Sequence, residues 1–227
     1  AGSRVIVGDG VWLTFMWELL GSGKMPSRVF LASAATHRIA SFSDDALKSM
    51  ALKSTVFKAN LEIADIDRGY YATHNLTLAR HPSETDERLM MRLLAFALYA
   101  DERLEFGKGL SATDEPALWL KNLDGSIKLW IEVGLPEERV LRRAAGRAEQ
   151  VAALAYGRTV DLWWSKEGPA LARLRNVTVL AVDGAQSAAL AEIAERGMQL
   201  NCTVQEGQVM FGDGERTVTL EPRRLLR

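Results

Sequence analysis

From Met50 the chain settles into a strict alternation, with Thr55, Phe57, Ala59, Leu61 and Ile63 on one parity and Lys58, Asn60 and Glu62 on the other. Period-two alternation marks a strand with one buried face, because successive side chains leave opposite sides of a pleated backbone. Tyr70 to Ala79 repeats the pattern, and Asp65-Ile66-Asp67-Arg68-Gly69 between them has turn chemistry, so the two runs predict a hairpin. His81-Pro82-Ser83 stops the second strand, and Ser83 with Asp86 and Glu87 downstream reads as a helix start. The helix is expected over Glu84 to Ala100. At helical spacing Glu84, Arg88 and Arg92 lie on one side, and Leu89, Leu93, Phe96 and Ala100 lie opposite. Glu87 shares a stripe with Leu94 and Leu98, so its carboxylate leans toward whatever the helix packs upon.

Asp114-Glu115-Pro116 then precede an extended piece, Ala117 to Asn122, the turn Leu123-Asp124-Gly125-Ser126 and a strand from Ile127 to Val133. This is a second hairpin. The Ala-rich stretch from Glu137 to Tyr156, closed by Gly157, predicts a helix, and Thr159 to Trp164 a further strand. A strand, helix, strand passage of this kind implies a right-handed crossover and a mixed sheet. Val177 to Val182 reads as a strand and Ser187 to Arg196 as a helix. Two or three strands are expected between Gln199 and Leu220, with a tight turn at Gly212-Asp213-Gly214. The first 49 residues, punctuated by Gly8, Gly10, Gly21 and Gly23, show no sustained period and read as an extension.

With 227 residues and 48% hydrophobic content, the chain can bury a proper core. A formal net charge of -1 excludes a global pull onto polyanions, so any nucleic-acid surface must be local. Cys202 is the single cysteine, which excludes an internal disulfide framework, and it reads as a small buried hydrophobe. The run Val11 to Leu20 is interrupted by Glu18 and falls short of the roughly 18 residues a spanning helix needs. No membrane partner is expected, and the cytoplasm is the expected compartment.

Glu132 is the chief chemical candidate. A carboxylate at the C-terminal rim of a strand, near the acids Asp114 and Glu115, is a pattern that can hold a divalent cation. It is equally consistent with a cap on the helix expected after Pro136. Asp114 and Glu115 before Pro116 also fit a solvated turn, and Glu87 an ion pair with Arg88 or Arg103. Arg139, Arg142, Arg143 and Arg147 fit either the solvated face of a helix or a set of phosphate contacts. Trp119, Trp130, Trp163 and Trp164 read chiefly as core, although an exposed ring could stack a base.

Arg80-His81-Pro82-Ser83-Glu84-Thr85-Asp86-Glu87-Arg88, Ala100-Asp101-Glu102-Arg103-Leu104, Asp114-Glu115-Pro116 and Leu129-Trp130-Ile131-Glu132-Val133-Gly134-Leu135-Pro136, in that order, resemble the bacterial YaeQ family. The resemblance runs from Met50 almost to the C terminus and leaves residues 1–49 outside a single domain of residues 50–227. It implies an α/β (α+β) fold related to the PD-(D/E)XK nucleases: a mixed central sheet flanked by helices around a metal-binding edge, with additional strands. Carried over, Glu132 matches the strand carboxylate, Asp114 or Glu115 the first acid and Glu87 the helix carboxylate. Gln150 falls where many such nucleases carry a helical glutamine. Mg²⁺ is the implied cofactor and nucleic acid the implied partner, with Arg139, Arg143 and Gln150 on the substrate side. The motif lysine two residues beyond the glutamate is replaced by Gly134, and a basic group from the following helix is the expected substitute. Two functions follow from the resemblance: a Mg-dependent nuclease, or an inactive nucleic-acid or protein interaction module linked to transcription elongation.

Overall fold

The computed structural model describes residues 54–108 and 114–226, so the expected extension over residues 1–49 lies outside the described residues. The first hairpin forms as the alternation demands. β1 (Thr55–Asp65) and β2 (Tyr70–Arg80) pair antiparallel in unbroken register from Thr55 opposite Arg80 to Asp65 opposite Tyr70. Phe57, Ala59, Leu61 and Ile63 are buried, while on β2 only Leu78 is, as an edge strand permits.

α1 (Asp86–Leu98) begins at Thr85, whose hydroxyl accepts from Arg88 N at 3.2 Å. The cap is thus two residues later than Ser83, whose Oγ lies 2.6 Å from His81 Nδ1 instead. Every residue from Leu89 to Ala97 is buried, including the side read as polar. Glu84 is 3% and Arg92 1% exposed, and they meet at 3.1 Å. This helix is the interior layer of the fold. Phe96 shows the arrangement, with its ring edge-on to His74 of β2 at 5.0 Å and stacked at 5.5 Å on Phe106 of β3 (Leu104–Phe106).

Beyond α1 stands a mixed sheet. β4 (Leu118–Lys121) and β5 (Ile127–Val133) make the expected second hairpin. α2 (Glu138–Ala145) then lasts only eight residues, and β6 (Ala148–Tyr156) follows, parallel to β5. The expected helix over Glu137 to Tyr156 is therefore corrected to a short helix and a strand. Ala148, Val151, Ala152, Ala153, Leu154 and Ala155 are all buried. A central strand covered on both faces has no alternation to display, and its apolar run cannot be told from a buried helix by pattern. The Asn176 amide secures the switch by donating to Ala145 O and Ala148 O, each at 3.0 Å. Gly157, at φ +98°, is the left-handed turn between β6 and α3 (Val160–Leu171), not a helix cap. α3 replaces the strand expected over Thr159 to Trp164; its aromatic and β-branched opening suggested a strand, but Trp163 Nε1 donates to Pro136 O at 2.9 Å and docks the helix beside α2.

β7 (Val177–Val182) and α4 (Gly184–Ala191, capped by Asp183) follow, the helix starting three residues earlier than expected. β8 (Gly197–Gln205), β9 (Gln208–Gly212) and β10 (Thr217–Leu220) complete one sheet in the order β10-β9-β8-β1-β2, with β1 and β8 parallel. The arginine-rich tail adds β11 (Arg223–Leu226) to the other sheet, ordered β11-β7-β6-β5-β4-β3. The larger core lies around α1 and draws on both sheets. A second core, from Trp130, Leu141, Ala144, Val151 and Leu171, lies on the opposite face of the six-stranded sheet under α2 and α3.

Candidate functional site

β5 divides its side chains strictly. Leu129, Ile131 and Val133 face α1, while Trp130 and Glu132 face the α2 side. Glu132 is half-buried at the strand's end, where its Oε1 accepts from Trp130 Nε1 at 2.8 Å. Burial raises its pKa above the ordinary 4.5, against the opposing pull of the Trp130 hydrogen bond and of Arg88 and Arg143 nearby. The capping alternative does not form. The start of α2 is served from α3 instead, where Glu167 Oε2 accepts from Glu138 N at 2.9 Å, and this hydrogen bond holds the Glu167 carboxyl below its ordinary value.

The cation beside Glu132 that reasoning from sequence missed is Arg88. It reaches from the first turn of α1 to donate through Nη1 to Val133 O, and its Nε stands 3.7 Å from Glu84 Oε1. Gly134 has φ +115°, and a Cβ there would come within 3.2 Å of Arg88 Nη1. The place where the nuclease motif carries a lysine is thus unsuited to a side chain, because the backbone is left-handed, and an added Cβ would also press on the Arg88 guanidinium. Gly134 was the available signal, since a glycine in place of a charged side chain leaves room for a cation from elsewhere.

The remaining candidates are distributed around β5. Asp114 is exposed and meets Arg143 of α2 at 3.1 Å, so Arg143 stands between Asp114 and Glu132 on one side of the sheet. Glu115 accepts from Lys108 N at 3.2 Å and Lys108 Nζ at 2.9 Å, which lowers its pKa. Glu87 lies on the α1 side and accepts from Ser187 Oγ at 2.6 Å, tying α1 to α4, rather than pairing with Arg88 or Arg103. Arg139 pairs with Glu137. Gln150 is on β6, not on a helix, with the parity of Ala152 and Leu154, and so faces away from Glu132. Among the described residues no three His, Cys, Asp or Glu side chains converge as a cation ligand set. The acids as placed do not fit a Mg²⁺ site, since each is met by its own donor or cation.

Next to Glu132 the α2 side of the sheet carries aromatic rings paired with cations. Trp119 and Trp130 are register partners with rings edge-to-face at 6.4 Å. Lys121 Nζ lies 3.7 Å from the Trp119 centroid and the Arg147 guanidinium 5.9 Å from that of Trp130. Trp130 is core, as expected, whereas Trp119 is only partly buried. Cys202, 1% exposed, has its thiol pushed up to about 12 by burial, which makes it an inert core residue.

Together these features define an α+β protein with an interior helix, two mixed sheets and a carboxylate-arginine edge at the end of a central strand. The family model for the YaeQ protein matches residues 50–222. The chain is 46% identical over 173 residues to the YaeQ protein of Salmonella typhi, spanning 76% of this chain and 96% of that one. It is 46% identical over 165 residues to YaeQ of Escherichia coli strain K12, spanning 72% and 91%. The crystal structure of YaeQ from Xanthomonas axonopodis pv. citri superimposes with a TM-score of 0.73 at 48% identity, covering 75% of this chain and 97% of that one. That of Pseudomonas syringae superimposes at 0.74 and 40% identity, covering 77% and 97%. The chain belongs to the YaeQ family. Among the described residues no helix is long and apolar enough to cross a membrane.

Proposed function

We propose that the protein binds single-stranded nucleic acid along the β4–β5–α2 face, with Arg143, Arg147 and Lys121 meeting phosphates and the open part of Trp119 receiving a base. The observation that carries this reading is the position of Glu132, flanked by Arg88 and Arg143 beside rings already paired with cations. Guanidinium groups suit phosphate oxygens geometrically, and an aromatic face suits any base, so such a surface binds without demanding sequence. The net charge of -1 fits a local track, and the resemblance to PD-(D/E)XK nucleases points to the same ligand class. A link to transcription elongation is compatible with such a track.

A second reading, Mg-dependent phosphodiester hydrolysis, is favoured by one feature: Asp114 and Glu132 share Arg143 as a neighbour, so that moving this guanidinium would leave two carboxylates facing one volume. The readings part in one experiment. Anisotropy of a labelled single-stranded oligonucleotide is followed against salt for the parent, Arg143→Gln and Trp119→Ala, with and without Mg²⁺, and the product is checked for cleavage. The binding reading expects Arg143→Gln to flatten the salt dependence by roughly 0.7 units for a lost single-strand phosphate contact, and Trp119→Ala to cost about 1–3 kcal/mol. Cleavage that needs Mg²⁺ and is abolished in Glu132→Gln would establish the second. Absence of binding at low salt would sink both.

A further inference from the structure

On the α1 side of the six-stranded sheet, beyond the C-terminal end of α1, lies a groove of about 390 Å³. Leu129 and Ala152 line it between Tyr99, Gln150, Arg175 and Arg224. It is separate from the Glu132 edge, because its lining includes none of Glu132, Asp114, Arg143, Arg147, Lys121 or Trp119. The volume falls within the roughly 300–1,000 Å³ typical of small-ligand sites.

Its charge is positive and comes from two arginines. Arg175, just before β7, and Arg224 of β11 make no hydrogen bond or ion pair with any described side chain, and no lining residue is acidic. Elsewhere in the described fold arginines are commonly committed: Arg92 to Glu84, Arg142 to Glu138, Arg216 to Asp213, Arg223 to Asp161. The carboxylates that line the adjoining pocket with Arg224 are committed elsewhere. Asp65 is held by Arg68, and Asp67 accepts from Glu206 N and Gly207 N at 2.7 and 2.8 Å. Arg68 also donates to Ala97 O and Ala100 O, so carbonyls at the end of α1 that would repel an anion are already bonded. Tyr99 stays protonated at neutral pH, because burial raises its pKa over the opposing pull of Arg224 and Arg68.

We infer that this groove binds a phosphorylated small molecule of nucleoside-monophosphate size, with Arg175 and Arg224 holding the phosphate. The Tyr99 hydroxyl supplies a further donor, and Gln150 reads a polar edge of the attached group above the Leu129 and Ala152 floor. The charge count selects the ligand: a phosphomonoester carries about -1.5 to -2 at neutral pH and matches two guanidiniums that no described carboxylate engages, whereas each diester of a nucleic-acid backbone carries a single charge. This inference is independent of the nucleic-acid reading and uses none of its residues.

Calorimetry on the full chain with adenosine 5′-monophosphate, inorganic phosphate and adenosine tests it. The monophosphate is expected to bind at or below about 1 mM, more tightly than inorganic phosphate, and adenosine not at all in that range. The Arg175→Gln/Arg224→Gln double variant should keep the parent's thermal midpoint, since both side chains are exposed, yet lose at least roughly tenfold in affinity. Arg143→Gln should leave this binding unchanged. The inference fails if the parent binds none of the three, if the double variant binds as the parent does, or if inorganic phosphate binds as tightly as the monophosphate. Loss of oligonucleotide binding in the double variant, with no monophosphate binding by the parent, would also overturn it and make the groove part of a nucleic-acid track.

Discussion

At Glu132 two effects compete over one proton: partial burial favours the neutral acid, while the Trp130 indole and two arginines favour the anion, and burial prevails. With the folded-state pKa above the ordinary 4.5, the neutral carboxyl stabilises the fold below that pH, and the contribution is lost as pH rises through the folded value. Glutamine mimics the neutral form and can still accept from Trp130. Glu132→Gln is therefore expected to match the parent near pH 4 and to become the more stable of the two by pH 7, read from urea midpoints at the two pH values. A difference that does not change with pH would show that the carboxyl titrates normally. Glu132 was legible because an acid ending an apolar strand stands out, whereas Arg88, some 44 positions upstream, was hidden because contacts between distant elements leave no local pattern.

Among the elements, α1 departs furthest from expectation in its surroundings, although its place in the chain was readable to within two residues at either end. Its polar side carries the buried Glu84–Arg92 pair, whose guanidinium has its pKa lowered by burial against the attraction of Glu84. Removing one partner strands an uncompensated charge, whereas removing both removes the desolvation cost as well. Glu84→Gln and Arg92→Met should each cost roughly 3–5 kcal/mol, and the double variant clearly less than their sum, in a denaturant double-mutant cycle. Additive losses would mean that water reaches the pair. The boundary between α2 and β6 went unread for a different reason: Asn176, which clamps it, comes from the far side of α3.

For the molecule as a whole, α1 belongs to a core that both sheets share, and Phe96 touches the five-stranded sheet through His74 and the six-stranded sheet through Phe106. Neither sheet can lose this layer alone. Phe96→Ala is expected to cost about 3–5 kcal/mol and to lower the whole transition, with far-ultraviolet circular dichroism and tryptophan fluorescence still coinciding. Separate midpoints for the two probes would show that the sheets unfold independently. The YaeQ structures from Xanthomonas axonopodis pv. citri and Pseudomonas syringae match the overall fold over 97% of their own chains, with TM-scores of 0.73 and 0.74.

Patterning alone determined the two hairpins, the position of α1, β7, the turn at Gly212 to Gly214 and the burial of Cys202, because period-two alternation and turn chemistry act over a few residues. Runs without alternation were decided by tertiary structure: β6 is a strand because β5 and β7 receive it on either side, and α3 is a helix because Trp163 docks on Pro136. The surroundings of the candidate residues were decided in the same way. Which cation meets Glu132, which donor meets Glu87 and which groove receives Gln150 depend on elements that come together only when the chain has folded, and hydrogen bonds and charges act across space rather than along the sequence.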